Sequence, residues 1–136
     1  MTWMKTGFAT LFILLLPTQV MSAGFDGSAP LLCAVVDVLE CSTEGSCERG
    51  SAESVNIPPF VKIDFKGKRI TEAVETEQKK STAIKNLEHM DGKLIMQGVE
   101  NGRAWSIIIS EETGKMSVSV SEDRFGFVIF GACMPL

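Results

Sequence analysis

The second half of the chain divides into short apolar segments separated by turn signals. The segments are KLIMQGVE, RAWSIIIS, KMSVSVS and RFGFVIFGAC, which cover residues 93–100, 103–110, 115–121 and 124–133. Asp91-Gly92 and Asn101-Gly102 are typical of two-residue hairpins, because both central positions of a type I′ turn need a positive φ. Residues 111–114 suit a four-residue hairpin loop. The pattern predicts antiparallel strands joined in sequence by hairpins.

Alternation within these segments predicts which side of each strand is buried. In KMSVSVS the apolar residues alternate with serines, so one face is expected to be buried and the other exposed to water. RAWSIIIS alternates in the same way except at Ile108, which lies on the opposite face. RFGFVIFG is apolar on both faces and is therefore predicted to be a well-covered strand.

The first half contains two further strand candidates around a long polar stretch. LCAVVDVLE (32–40) is rich in β-branched residues, and FVKIDF (60–65) alternates with the period of a strand. Residues 42–59 between them read as a loop. Its length exceeds that of an ordinary connection, and such loops are often functional or pinned. A disulfide at its start is the expected pin.

Residues 70–88 are ambiguous between strand and helix. They contain helix-forming residues and a Glu75 to Lys79 spacing that favours a helix. Glu77, Lys80 and Ser81 interrupt the apolar stripe that such a helix would need. The preferred interpretation is a strand at 68–74, an exposed turn at 76–80 and a strand at 82–88; the alternative is one helix in an α+β fold.

The predicted fold is all-β. Seven or eight short antiparallel strands joined by hairpins form an up-and-down meander, which either closes into a small barrel or stacks as a sandwich. A closed or nearly closed barrel is preferred, similar in outline to lipocalin-like or streptavidin-like cores. Residues 24–136 are expected to form a single β domain, because a chain of this size buries one core.

Residues 1–23 have the organisation of a secretory signal peptide. Lys5 precedes an apolar core at Gly7 to Leu16, and the small residues Ser22 and Ala23 offer two cleavage positions. The apolar core is about 10 residues long, whereas a membrane span needs roughly 20. The sequence therefore predicts a periplasmic or secreted protein with no stable membrane anchor.

The four cysteines are even in number, and an exported chain is expected to pair them. Cys41 and Cys47 flank the polar segment STEGS, so a bridge between them closes a small local ring. Cys33 is then left to pair with Cys133, which ties the first strand to the last. Zinc is disfavoured because no CxxC is present and the spacing of Cys41 and Cys47 exceeds that of zinc knuckles.

Charge argues against two classes of partner. The net charge is −4, and removal of residues 1–23 would take away Lys5 but none of the 17 acidic residues. Binding of nucleic acid or of an anionic membrane draws on an excess of Lys and Arg. Neither is expected to be the main partner.

Candidate catalytic and metal-binding groups are sparse, so an enzyme, a metal and a cofactor are not expected. His89 is the single histidine, and no GxSxG or similar nucleophile context accompanies it. Glu111 and Glu112 are adjacent at a turn, where their side chains should diverge. The acidic residues near the proposed small disulfide match no calcium loop and are read as a solvated surface: Glu40, Glu44, Glu48 and Glu53.

A set of large apolar side chains on the predicted strands either lines a ligand cavity or fills the core of the barrel. Small barrels are usually packed solid. The candidates are Trp105, Met96, Met116 and Phe127, together with Phe125.

From Leu32 onward, with WSIIISEETGKM and the terminal FGACMP as its most distinctive parts, the sequence resembles a group of uncharacterised small exported proteins of Gram-negative bacteria. A fainter architectural likeness links it to periplasmic inhibitors of c-type lysozyme. Those barrels also join an early strand to the C-terminus by a disulfide, and they use a Ser-Gly loop with a nearby Tyr or Lys. This chain has no Tyr.

The sequence thus predicts a non-enzymatic exported binding or interaction module whose ligand or partner it does not identify. Loops on a rigid scaffold often carry function, so residues 42–59 and the barrel mouth are the expected contact surfaces. Two alternatives stay open: an inhibitor of a hydrolase such as lysozyme or a protease, and a carrier of a small apolar ligand inside the barrel.

Overall fold

The computed structural model describes residues 24–136, so the predicted signal peptide lies outside the described residues. This part of the chain contains ten β-strands and no helix. The all-β prediction is confirmed, and the alternative helix within 70–88 is wrong. The strands are β1 (Leu31–Ser42), β2 (Cys47–Gly50), β3 (Phe60–Asp64), β4 (Arg69–Glu72), β5 (Ser81–Ala83), β6 (Asn86–Met90), β7 (Lys93–Glu100), β8 (Arg103–Ser110), β9 (Lys115–Ser121) and β10 (Phe125–Pro135).

All strands belong to one antiparallel, strongly curled, barrel-like sheet. Its order is β5-β4-β3-β1-β10-β9-β8-β7-β6, and β2 pairs with β1 outside this path. Each neighbour is the next strand along the chain, except where β1 meets β10 and where β2 is bypassed. The predicted meander is therefore confirmed.

The two ends of the sheet belong to one continuous stretch of chain. β5 and β6 are separated by Ile84 and Lys85 alone. The Ile84 amide donates to the Lys68 carbonyl beside β4 (2.9 Å), whereas the Lys85 amide donates to the Gln97 carbonyl of β7 (2.9 Å). The predicted single strand at 82–88 is thus split, because the chain changes partner at its middle. This split and β2 account for ten strands instead of seven or eight.

The hairpin predictions are confirmed in detail. Asp91 and Gly92 have φ angles of 50° and 70°, and Asn101 and Gly102 have 49° and 77°, as a type I′ turn requires. The bounds of β7, β8 and β9 coincide with the predicted segments. The local turn chemistry therefore sets the register of this half of the sheet.

The first and last strands pair over their whole length, from Leu31 opposite Pro135 to Ser42 opposite Phe125. Cys33 lies directly opposite Cys133 in this ladder and forms a disulfide with it. The second disulfide joins Cys41 to Cys47. Both predicted pairings are confirmed, and two disulfides indicate an oxidising environment.

A β-bulge interrupts β1 where the strand changes its other partner. Residues 31–34 pair with β3 and residues 38–41 pair with β2. Val36 lies between them without a partner in β10 and is 71% exposed. Across the ladder, a Cβ on Gly131 would lie 2.3 Å from the Ala34 carbonyl oxygen. Glycine is therefore required beside the bulge, which bends β1.

The core fills the inside of the curled sheet as layers of inward-facing side chains. One layer joins Ile129, Val118, Ile107 and Met96 across four adjacent strands. The end nearest the Cys33–Cys133 disulfide is packed solid, and Phe25 from the N-terminal segment covers it. The side chains with almost no exposure are Leu31, Ile63, Leu94, Met96, Ile109, Ile129, Val38 and Cys33.

The predicted loop at 42–59 is partly wrong. Residues 47–50 form β2, a short strand that pairs with the second half of β1. The remaining loop, residues 51–59, is held by its own bonds, since Ser51 and Ser54 exchange hydrogen bonds (3.0 and 3.1 Å) and Val55 is buried. The small disulfide pins the β1–β2 hairpin and not the loop that follows.

The prediction that β10 is well covered on both faces is wrong. Val128 is 38% exposed and Phe130 is 46% exposed, whereas Phe127 and Ile129 are buried. A single curled sheet encloses one core on its inner side. No second layer within residues 24–136 packs against the outer face of β10.

Loss of the long-range disulfide should destabilise the protein more than loss of the local one. The Cys33–Cys133 bridge joins residues 100 apart, against 6 for Cys41–Cys47. In the chain-entropy model these loops contribute about 4.7 and about 2.4 kcal/mol. Urea unfolding of Cys33→Ala/Cys133→Ala and of Cys41→Ala/Cys47→Ala measures the difference. Equal losses of unfolding free energy would contradict this assignment.

Candidate functional site

A cavity of about 370 Å³ opens at the end of the barrel where Glu100 and Arg103 lie, and it reaches down to Met116, whose Sδ is 3.8 Å from Cys133 Sγ. Its floor is apolar and its rim is mostly polar. The floor is lined by Val35, Val61, Ile70, Trp105, Ile107, Met116, Val118, Val120, Phe127 and Ile129. The rim is formed by Asn56, Ile57, Pro58, Lys80, Ser81, Thr82, Glu100, Asn101 and Arg103.

Unequal strand lengths explain why a cavity forms at this end. β1 and β7 to β10 have 7 to 12 residues, whereas β3, β4 and β5 have 5, 4 and 3. On the short side the sheet stops before it reaches the rim. Residues 51–59 and 73–80 stand there in place of strands, and their side chains do not fill the space that inward-facing strand residues would occupy.

Trp105 spans the cavity wall between β8 and β5. Its ring lies over Gly98 of β7, where an added Cβ would be 2.2 Å from the ring atom Cζ2. The indole Nε1 donates a hydrogen bond to Thr82 Oγ1 at 3.2 Å. The missing side chain at Gly98 therefore lets Trp105 of β8 reach across β7 to β5, where its indole N–H finds an acceptor.

Three of the four residues predicted for a cavity line it. Trp105, Met116 and Phe127 contribute to the floor. Met96 does not, because it is fully buried in the packed layer beside Ile107. Phe125 stacks on Phe127, with ring centroids 5.5 Å apart, but lies outside the lining.

Arg103 forms a compact charged cluster at the rim. Its Nε donates to Glu122 Oε2 at 2.9 Å, and its guanidinium lies 5.3 Å and 5.5 Å from the ring centroids of Phe125 and Phe127. An ion pair and two cation–π contacts thus hold this side chain in place. Arg103 therefore packs against the Phe125 and Phe127 rings from the rim.

Lys80 joins the two irregular segments of the rim. Its Nζ donates to Asn56 Oδ1 at 2.6 Å and to the Asn56 carbonyl at 3.2 Å. The sequence did not predict this contact. Residues 42–59 were expected to be a contact surface, and no residue of the chain was identified as their partner. The positive φ of Asn56 (57°) marks a tight turn, but nothing local in the sequence points to Lys80.

A second depression, of about 610 Å³, lies against residues 51–59 and is also lined by Val36, Val38 and Glu72. It shares Val35, Asn56, Ile57, Pro58 and Lys80 with the cavity. These residues of the loop therefore border both spaces.

The other candidate groups lie outside the cavity. His89 Nδ1 is 2.8 Å from Glu111 Oε1, and the side chain is half exposed near the packed end. Near it, the Ser28 hydroxyl and amide donate to Asp26 and lower the pKa of that carboxyl. Within residues 24–136 no group of three or more His, Cys, Asp or Glu side chains is placed to hold a metal ion.

The acidic residues predicted as a solvated surface lie on the exposed β1–β2 hairpin and on the segment after it. Glu40, Glu44, Glu48 and Glu53 are all exposed. Arg49 and Asp37 form a surface ion pair across the same hairpin. No helix in the described part of the chain is long and apolar enough to cross a membrane.

No protein-family model matches the sequence, and no curated protein matches it either. The resemblance to small exported proteins of Gram-negative bacteria therefore stays a prediction. Fold and cavity geometry provide the basis for a functional interpretation.

Gly98→Ala should destabilise the protein and disturb the Trp105 ring. The added methyl group meets the ring at 2.2 Å and the Ala83 carbonyl oxygen at 2.7 Å. Overpacking of this kind costs about 1–3 kcal/mol. Urea unfolding with indole fluorescence measures both effects. A Trp3→Phe background leaves Trp105 as the single tryptophan even where residues 1–23 are retained. Gly24→Ala is the control, since its Cβ meets only Pro135 atoms at 4.0 Å; equal stability of the two variants would refute the packing role.

Proposed function

We propose that the protein is a non-enzymatic exported binding module that holds a small apolar ligand in the barrel cavity. The observation that carries this proposal is the apolar floor of a cavity of about 370 Å³. Small-molecule sites are concave, mostly apolar and roughly 300–1,000 Å³ in volume, with a few polar groups that fix orientation. The cavity matches each of these properties.

The contrast between the two ends of the barrel supports the proposal. At the packed end, Leu31, Leu94 and Ile109 are fully buried and Phe25 covers them. At the other end, apolar side chains face open space and give up the dispersion contacts that close packing supplies. We infer that a bound ligand supplies the missing packing contacts at the open end.

Export is the second part of the proposal. Two disulfides require an oxidising compartment for their formation, and the organisation of residues 1–23 predicts secretion. We place the protein in the periplasm or outside the cell. The ligand would then be a compound that needs shelter from water in that compartment.

The exposed β1–β2 hairpin supports a second candidate function, inhibition of a hydrolase. Residues 42–49 are exposed and the Cys41–Cys47 bridge braces them, as a rigid loop that enters a cleft requires. Nothing in the hairpin identifies the target enzyme. Inhibition of a c-type lysozyme by the purified protein, absent in the Cys41→Ala/Cys47→Ala variant, would favour this candidate over the ligand carrier.

An apolar compound in the cavity should quench or shift the fluorescence of Trp105. Titration of the Trp3→Phe protein with decanol is expected to give a saturable change and a raised melting temperature, because a ligand that binds only the folded state stabilises it. Val118→Phe should abolish the change, since Val118 faces the cavity.

The matched control is Val128→Phe, the same substitution on the neighbouring strand at a residue that faces outward. This variant should bind as the parent protein does. Near-ultraviolet circular dichroism shows whether Val118→Phe keeps its fold. Saturable binding that survives in a folded Val118→Phe variant would place the ligand elsewhere and refute the cavity as the site.

A further inference from the structure

We infer that the ligand is a single-chain amphiphile with an anionic head group, which the Lys80 ammonium binds at the rim of the cavity. This inference rests on the proposed function, because it assigns the chemistry of the ligand to the same cavity. It follows from the hydrogen bonds of Lys80, the other charges at the rim and the shape of the apolar floor.

Lys80 has hydrogen-bond capacity to spare at the rim. An ammonium carries three N–H donors and no acceptor, and the two acceptors of Lys80 are both oxygen atoms of Asn56. Within residues 24–136, no carboxylate lies within 4.0 Å of its Nζ. The next residue back, Lys79, instead pairs with Glu75 at 2.5 Å. The ammonium of Lys80 is therefore bound by neutral groups beside an apolar cavity, while the backbone amide of the same residue donates to Glu72 Oε2 at 3.4 Å.

The other charged side chains at the rim restrict where an anionic head group can bind. Arg103 is engaged by Glu122 and by two aromatic rings. Glu100 also lies on the rim, and no ion pair within the described residues joins it to Lys80 or Arg103. An anionic head group gains from Lys80 and is opposed by Glu100, so affinity depends on these two charges with opposite sign.

The floor of the cavity is long in one direction, as a hydrocarbon chain requires. Met116, Val118 and Val120 are successive inward residues of β9 and all line it. A strand rises about 3.3 Å per residue, so this lining extends roughly 13 Å from the rim toward the packed end. Charged side chains occur only at the rim. A ligand with one polar end and an apolar chain fits this distribution.

Calorimetric titration with decanoate and decanol tests the head group, since the two compounds share one chain. The purified protein should bind decanoate more tightly than decanol. Lys80→Met should lower the affinity for decanoate about tenfold, the effect of losing one charged hydrogen bond, and should change that for decanol less than about twofold. Glu100→Gln should raise the affinity for decanoate alone.

Two variants separate the head-group role from other effects. Lys79→Met removes the same charge one residue away, outside the cavity lining, and should leave both affinities unchanged. Asn56→Ala breaks the link between Lys80 and the loop but keeps the ammonium. Preference for decanoate over decanol should persist in it.

The outcomes distinguish this inference from the proposed function. If both compounds bind and Lys80→Met weakens them equally, Lys80 acts on the loop and the head-group assignment is overturned, while the cavity remains the site. Equal loss in Lys79→Met would likewise overturn it, as a general effect of charge. If neither compound binds in the cavity, the proposed function itself fails.

Discussion

The pairing of β1 with β10 is the constraint on which the rest of the structure depends. Almost every other contact between strands joins segments that follow one another in the chain, so it forms through a short hairpin. β1 and β10 lie at opposite ends of the sequence. The entropy cost of closing a loop of about 100 residues must therefore be met before their ladder of hydrogen bonds can form. Without it the sheet would have two long unpaired edges. The Cys33–Cys133 bridge makes that closure permanent once the chain is oxidised.

The cavity is a consequence of how β1 pairs with its neighbouring strands. On one side it offers an uninterrupted partner to β10, but on the other its bulge at Val36 divides it between β2 and β3. The sheet therefore lacks a strand beside the bulge, and residues 51–59 bridge the gap. An irregular loop anchored by Val55 covers space without filling it. The bulge at Val36 thus has two effects. β1 still closes the sheet against β10, and its other edge leaves the gap in which the cavity forms.

The sequence predicted those features that depend on neighbouring residues. β7 to β9 follow from alternation and from the Asp91-Gly92 and Asn101-Gly102 turns, which act locally. The break between β5 and β6 was missed because it reflects a change of pairing partner. β2 was missed because β1, the strand that it pairs with, already pairs with β10 along its other edge. Met96 and Trp105 were both predicted to line a cavity or fill the core, but the sequence does not say which inner residues meet open space. The Lys80–Asn56 contact joins two irregular segments, for which sequence has no periodic signal.

The barrel is closed at one end and open at the other, and this asymmetry would fix the orientation of a ligand in the cavity. Phe25 lies over Gly114 at the packed end, where an added Cβ would be 2.6 Å from its ring, so that end offers no passage. The charged side chains that line the cavity all belong to the opposite rim. A ligand with a polar group would leave that group unpaired if it entered in the reverse orientation, and a buried unpaired polar group costs about 1–3 kcal/mol. The closed end would thus orient the proposed ligand with its polar group at the rim.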